Sequence, residues 1–368
     1  MSDPVDDRHA LLTADELLEL VGLAFAGAGL SDQDAATVAD VLVTANLRGL
    51  DSHGVERAPI YLRRVRTGAA GGSDRLHWLA EAGATARLDA GHALGPIASM
   101  AATVRAAELA RANGVGVVAV GSSSHFGAAG HYAWWGARAG MIAWVASNAA
   151  HSMAPHGGIQ AFLGANPIAV GIPLGRHGEF VLDMSTSIAA RGRMRRAQAQ
   201  GDPLAEGLAL DSDGVPTTDP AAALAGAVLP TGGPKGSGLA MAIALMACLL
   251  ADADLDDEIS SMYSGVDAPQ NIGHVFWFID PAWFGDVGAS VVRAEAMVDR
   301  LHAIRPAPGE TVRFAGEGQA RTMQERSKRG VPISRGELER LADEVDRCDR
   351  PELASRIRDA AARPADAT

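Results

Sequence analysis

Cysteine, aromatic side chains and positive charge are scarce in this chain, and each scarcity closes off a class of function. Only Cys248 and Cys348 occur, and Cys248 lies inside the apolar run GLAMAIALMACLL. Neither a disulfide framework nor a thiolate metal site is therefore expected, and a cytoplasmic setting follows. Phe, Trp and Tyr together make up 5% of the residues, too few for an aromatic binding groove. The formal net charge of -12 disfavours nucleic acid, whose phosphates select clustered Lys and Arg. The short basic run ARGRMRRA, Arg191 to Arg196, does not reverse that balance. No membrane partner is expected either: the apolar run Gly238–Leu250 falls short of the roughly 20 residues a spanning helix needs. The N-terminus MSDPVDDRHA lacks the basic and apolar regions of a signal peptide.

Several motifs are missing as well. No G-x-G-x-x-G follows a first strand, and Lys235 is followed by Gly236 instead of Ser or Thr, so neither common nucleotide loop is present. His125 and His131 lie six apart, His151 and His156 five apart, and no H-E-x-x-H occurs, so no metal is expected. Ser52 and His53 are adjacent and no G-x-S-x-G elbow exists, which argues against a Ser-His hydrolase.

What the chain has is length and small apolar side chains. Its 368 residues allow two or three domains, and 48% of them are apolar, dominated by Ala and Gly, which suits closely packed helices and tight turns. Thr13 and Glu16 form a capping box that starts one helix, ending near Gly27, and Ser31 starts a second. A third is expected over Gly54 to Val65, with Arg57 and Tyr61 on one face and Ser52 and His53 at its N-terminal end. From about residue 85 strand-like runs alternate with helical ones: ATARLDA, VGVVAVG, MIAWVASN, PIAVGIP, EFVLDMS and HVFWFID. That alternation indicates an α/β core. The tail from Ser334 to Ala362 returns to helix, RPADAT reads as a frayed end, and QAQGDPLAEGLALDSDGVPTTDP reads as a surface excursion.

Four stretches carry chemistry. DSHGVERAPIY (51 to 61) gathers a hydroxyl, an imidazole, a guanidinium and a phenol. SSSHFGAAGHY (122 to 132) puts His125 and a glycine turn at the carboxyl end of a strand, where ligand crevices form in α/β proteins. VLDMSTSIAARG (181 to 192) offers Asp183, Ser185, Thr186 and Ser187 past another strand, although a helix cap explains it equally well. TGGPKGSGLAMA (231 to 242) sets Lys235 among glycines before an apolar helix, where backbone amides and an ammonium can meet an anion. Interconverting a 2-hydroxy and a 2-oxo acid needs a bidentate cation for the carboxylate, a group of near-neutral pKa for the hydroxyl proton and a nicotinamide for the hydride. Arg57, one of the histidines and the glycine-rich loops supply that set.

In this order, SHGVERAPIY, SSHFGAAG, GANPIAVGIP, LDMSTSIAARG, LALDSDGVPTTDP, LPTGGPKGSGLAM and NIGHVFWFIDP resemble the malate/L-lactate dehydrogenase family of the second, non-Rossmann type, over about residues 10 to 345. That family also holds ureidoglycolate and sulfolactate dehydrogenases, diketogulonate reductase and cyclic-imine reductases. The resemblance implies a non-Rossmann NAD(P)-binding α/β domain, residues 85–330, packed on a largely helical domain formed by residues 1–84 and 331–368. It also implies NAD or NADP as cofactor, a small 2-oxo or 2-hydroxy acid as substrate, and a homodimer. His53 or His125 is then the proton donor and acceptor, with a preference for His53; Ser52 orients it or relays its proton, and Arg57 with Tyr61 binds substrate. The implied cofactor residues are His125, Phe126, Gly127, Asn148, Asp183, Met184, Ser185, Lys235, Gly236, Gly316 and Glu317.

The chain departs from the family pattern in places. Pro234 stands where an aromatic residue is usual, Ala315 precedes Gly316-Glu317 in place of proline, and Ala149 replaces a hydroxyl-bearing residue. Arg193 occupies the position where imine-reducing members carry an aspartate, which argues against the alternative activity on piperideine or pyrroline carboxylates. Pro234 and Ala149 motivate a third reading, a catalytically degenerate binding subunit. The arginines at 191, 193, 195 and 196 suit either a 2'-phosphate or a solvated helix face.

Overall fold

The computed structural model describes residues 8–262 and 265–363. Most of the N-terminal stretch read for a signal, and the RPADAT tail from Pro364 onward, lie outside them. The chain opens with β1 (His9–Leu12), α1 (Ala14–Gly27) and α2 (Asp32–Leu47), then two 3-10 turns at Asp51–His53 and Val55–Arg57, then α3 (Ala58–Arg66). It continues through β2 (His77–Ala82), β3 (Thr85–Asp89), α4 (Gly95–Asn113), β4 (Val115–Ser123), α5 (Ala129–Arg138), β5 (Ile142–Ser147), β6 (His151–Met153), β7 (Leu163–Gly164), β8 (Ile168–Pro173) and β9 (Glu179–Met184). After α6 (Arg191–Gln200) come β10 (Ala209–Leu210), β11 (Pro216–Thr217), α7 (Pro220–Ala225), β12 (Ala227–Val228), α8 (Pro234–Ala251) and β13 (Ile272–Ile279). The last elements are α9 (Val287–His302), α10 (Glu317–Arg329), β14 (Val331–Ser334), α11 (Arg335–Asp346) and α12 (Pro351–Ala362).

Both chain ends build one helical body. Thr13 Oγ1 accepts the Glu16 amide and Ser31 Oγ the Asp34 amide, each at 3.2 Å, so α1 and α2 start at the caps the sequence displays. Their apolar faces, Leu17, Val21, Phe25, Val38 and Leu42, meet Leu338, Leu341 and Val345 of α11 and Ile357 of α12 in one core. An unforeseen antiparallel ribbon, β1 against β14 with His9 opposite Ser334, ties the two ends together.

The α/β core is a seven-stranded sheet in the order β2-β3-β4-β13-β5-β8-β9, parallel only between β3 and β4. Helices α4 and α5 cover one face. The abundance of Ala and Gly has a direct use here: a Cβ on Gly116 would lie 2.1 Å from Ala106 O, and one on Gly171 1.9 Å from Ala133 O. Strand backbones therefore touch helix backbones, and Ala98, Ala102, Ala106 and Ala110 fill the seam. The stretch expected to be a surface excursion instead supplies β10 and β11 to a second sheet, ordered β11-β10-β12-β6-β7. Its leucines decide this: Leu204 and Leu208 bury against Met153, Met194 and Val228 in a core of their own. Helix α8 is long and apolar enough to cross a bilayer by length and composition alone. It packs Ile243, Ala244 and Ala247 inward, over β4 and β13.

Candidate active site

The helix expected over Gly54 to Val65 begins later, at Ala58, so Arg57 is its N-cap and not a residue on its flank. Asn46 redirects the backbone: its side-chain Oδ1 accepts the Val55 amide at 2.8 Å and its Nδ2 donates to Asp51 Oδ1 at 2.8 Å. Pro59, which has no amide to donate, then opens α3. Ser52 and His53 consequently sit in a separate 3-10 turn. That turn is held from a distance by Arg326 of α10, whose Nη1 and Nη2 reach the two Asp51 oxygens at 2.6 and 3.2 Å.

The segment converges on His125. Tyr61 Oη lies 2.5 Å from His125 Nδ1, and the Gly127 amide donates to the same nitrogen at 3.3 Å. An amide donating to Nδ1 leaves the neutral ring's proton on Nε2 and makes Tyr61 a hydroxyl donor. The His53 and His125 rings are 6.0 Å apart and 23° from parallel. Ser52 Oγ sits 3.0 Å from His53 Nδ1. Arg57, buried at 8% exposure, donates through Nε to Ser52 O at 2.7 Å, which fixes the plane of its fork. Burial and then the Arg57 charge push the His53 pKa down to about 4. The same two causes, followed by the charges of His53 and His274, hold His125 well below the ordinary imidazole value. Both rings stay neutral at pH 7, and one guanidinium acts on both.

Behind His125 is a residue that sequence reasoning passed over. His274 of β13 is fully buried, with Nδ1 2.8 Å from Ser147 Oγ and Nε2 2.9 Å from Ser123 Oγ. Its ring stacks on Phe126, centroids 4.4 Å apart and 2° from parallel, so it buttresses the residue next to His125. The signal was present: the histidine of NIGHVFWFID interrupts a strand that is otherwise apolar.

The remaining residues named from the sequence form two groups. Asp183, on β9, accepts the Gly130 amide at the start of α5; burial raises its pKa to about 6 against that bond and the Arg48 charge. Two residues back, Val181 donates its amide to Ala315 O at 2.9 Å, bringing Gly316 and Glu317 to the same strand. Glu317 Oε2 accepts from Phe314 N at 3.2 Å and lies 3.0 Å from His302 Nε2. Met184 ends β9 and leads into the second group. There Ser185 Oγ donates to Ala165 O at 2.9 Å, and Thr231 donates its amide to Thr186 O at 2.9 Å, joining this turn to the glycine loop of Lys235 and Gly236.

The glycine loop differs from the expected anion cradle. The amides of Lys235, Gly236 and Ser237 donate to Gly232 O, Thr231 O and Gly233 O, so they close the loop on itself; Lys235 keeps an exposed ammonium. Pro234 opens α8 at a position where the missing amide costs the helix nothing. Asn148 stands apart, its amide engaged by Asp254 O at 2.7 Å and Gly273 N at 2.8 Å. A buried Thr186 hydroxyl and the nearly buried Arg48 guanidinium make no hydrogen bond to any described residue. Of these donors, the exposed Lys235 ammonium is the one at the glycine loop in a position to meet an anion from solvent, and Arg48 lies elsewhere, beside Trp134. No group of three or more His, Cys, Asp or Glu side chains among the described residues has a metal-binding arrangement.

Comparison with known proteins places the chain among relatives. The family model for malate/L-lactate dehydrogenase matches residues 12–342. The (2R)-3-sulfolactate dehydrogenase (NADP(+)) of Chromohalobacter salexigens is 36% identical over 85% of this chain and 95% of its own length. The ureidoglycolate dehydrogenase (NAD(+)) of Escherichia coli K12 is 32% identical over 88% of this chain and 92% of its own. Among solved structures, the delta1-piperideine-2-carboxylate reductase of Pseudomonas syringae superposes with a TM-score of 0.82 at 30% identity, covering 91% of this chain and 99% of that one. On the ordered motifs, the sheet and these relatives together, the chain belongs to the malate/L-lactate dehydrogenase family.

Proposed function

We propose that the protein is an NAD(P)-dependent oxidoreductase that interconverts a 2-hydroxy acid and a 2-oxo acid. One observation carries the reading: a buried guanidinium, Arg57, acts on two neutral imidazoles whose rings lie 6.0 Å apart. The nicotinamide, when bound, supplies or accepts the hydride. Arg57 holds the substrate carboxylate. His125 holds a proton at Nε2, oriented by Tyr61 and Gly127 at Nδ1; as that proton passes to the oxygen of the oxo acid in the reductive direction, the Tyr61 hydroxyl proton passes to Nδ1, so the ring stays neutral and Tyr61 is reprotonated from solvent before the next turnover. This geometry favours His125 over the His53 preferred from sequence, because His125 has two donors fixing its tautomer. His53 and Ser52 flank the carboxylate clamp. NADH and NADPH offered with a panel of oxo acids, including oxaloacetate, pyruvate and sulfopyruvate, should show turnover at the nicotinamide absorbance. Silence with both cofactors across the panel refutes the reading.

The imine-reductase alternative draws support from the solved neighbour that carries that name. Against it stands the sequence departure at Arg193, where imine-reducing members carry an aspartate, on α6, a helix whose Gly192 comes up against Ser52. Piperideine-2-carboxylate belongs in the same substrate panel. The degenerate-subunit reading loses its main motive, since Pro234 sits where proline is tolerated.

Self-association as a homodimer is part of the proposal, and an apolar surface supports it. Outward along α8, Leu249 is 80% exposed, with Met241 and Leu245 near half. On the sheet face that α8 covers, Trp144 and Trp277 pair across β5 and β13 with ring centroids 6.4 Å apart. With Met246 and Leu250 these side chains give the chain the exposed apolar residues from which an interface of the standard ~800 Å² per partner is built. Light scattering should give twice the chain mass, and Leu249→Glu with Leu245→Glu should give monomers; a monomeric wild type refutes it. A cytoplasmic location is proposed with it, on the same ground as in the sequence, that the chain has only Cys248 and Cys348.

A further inference from the structure

Arg48 is the residue whose chemistry the site above leaves unexplained. It caps the C-terminal end of α2 and is only 5% exposed. Its guanidinium lies 5.2 Å from the centre of the Trp134 ring, which Arg138 also approaches at 4.8 Å. Trp134 is in turn fixed by donating Nε1 to Glu179 Oε2 at 3.3 Å. Asp183 and Glu179 lie within electrostatic range, but the Arg48 guanidinium forms no ion pair or hydrogen bond with any described residue. The residue has lost most of its hydration, which an aromatic face replaces only in part, while its nitrogens keep a narrow access to solvent through which an acceptor can reach them. Such a group is in place for an oxyanion that arrives from outside the protein.

Two relationships identify that oxyanion. The cation acting on both His53 and His125 is Arg57, so Arg48 does not face the reacting carbon. Arg48 acts instead on Asp183 and on His131, along the β9 and α5 side where Gly316 and Glu317 also gather. We propose that Arg48 binds a phosphate group of the nicotinamide dinucleotide, with Trp134 holding the guanidinium plane in place. This rests on the NAD(P)-dependent reading above and adds to it a residue that the motifs do not single out.

The test uses the full chain and binding as its readout. NAD+ and NADP+ are titrated by calorimetry into wild type, Arg48→Met and Arg48→Gln, with Tm and oxo-acid KM measured beside them. Loss of a charge-assisted phosphate contact should weaken dinucleotide binding about 10- to 100-fold, with KM for the oxo acid at saturating cofactor within about twofold of wild type. An equal loss for both dinucleotides assigns the diphosphate; a loss for NADP+ alone assigns the 2'-phosphate. Unchanged Kd in a folded variant overturns the proposal and leaves the dehydrogenase reading standing, as does an effect confined to oxo-acid KM. Wild type that binds neither dinucleotide overturns both. Arg48→Gln keeps a polar group over Trp134 and serves if the methionine variant fails to fold.

Discussion

Tyr61 and His125, 64 positions apart in the chain, meet with the phenol oxygen 2.5 Å from Nδ1 of the ring. The contact joins the helical body to the end of β4, and it sets the tautomer on which the proposed proton transfer depends. Tyr61→Phe leaves only the longer Gly127 contact at that nitrogen. The expected result is a fall in kcat of about 10- to 100-fold, with substrate KM nearly unchanged, because the lost bond orients the acid and not the substrate. Stability should drop by only about 1 kcal/mol, the worth of one buried hydrogen bond. A variant equally active across pH 6 to 9 removes Tyr61 from the mechanism.

Arg57 tests the other half of the site. Arg57→Met keeps the length of the side chain and removes the charge, so kcat/KM should fall by the equivalent of roughly 2–4 kcal/mol. His53 should respond too: one of the two causes lowering its pKa is the Arg57 charge, so its titration by NMR should move upward in the variant. Unchanged kcat/KM rejects the clamp, and an unmoved His53 resonance rejects the proximity.

Much of this was legible in the sequence. The Thr13 and Ser31 caps and the strand-like runs from residue 85 come from local patterns that tertiary structure preserves, whereas the meeting of Tyr61 with His125 joins segments 64 positions apart and was suggested only by the resemblance. What was illegible came from distance or from single side chains. Asp51 is held by Arg326, 275 positions away, and no local period marks that pair. The break before α3 follows from Asn46 accepting the Val55 amide, where helical spacing of Arg57 and Tyr61 suggested continuity. The glycine loop looked like an anion cradle because composition reports amide availability and not direction; its amides turn inward. Arg48 and His274 are isolated polar residues at the end of a helix and inside a strand, and only burial sets them apart.

Two glycines separate backbone contact from open space. Gly116→Ala drives a methyl toward Ala106 O, 2.1 Å away, in a seam where neither strand nor helix can yield, and should cost about 2–4 kcal/mol in urea unfolding. Gly22 lies inside α1 with nothing within 4 Å of its would-be Cβ. Gly22→Ala should stabilise by about 0.5–1 kcal/mol through helix propensity. Equal effects of the two substitutions would mean that α4 does not rest on β4 as closely as described.

His274 sets an acid limit on the fold. Burial pushes its pKa down to about 3, opposed by the nearby Ser124 carbonyl, while the unfolded chain titrates near 6.5. Between those values the unfolded state holds a proton that the native state refuses, so this residue's contribution is complete above pH 6.5 and is lost as pH falls toward 3. His53 has the same sign, with a pKa of about 4. Asp183 and Glu337, raised to about 6 and about 7, have the opposite sign and regain stability on acidification, so the wild-type curve is a sum of opposed terms. Comparing His274→Asn with wild type isolates one term. The variant should be the less stable at pH 7.5, because one serine hydroxyl loses its partner. Its deficit should shrink by about 2 kcal/mol between pH 7.5 and pH 5, since the slope is ~1.4 kcal/mol per pH unit below 6.5. Urea melts of both proteins at those two pH values decide it: a deficit that stays constant means the His274 ring accepts its proton as readily folded as unfolded, and the Ser123–His274–Ser147 array is not the dry, neutral support for Phe126 and His125 described above.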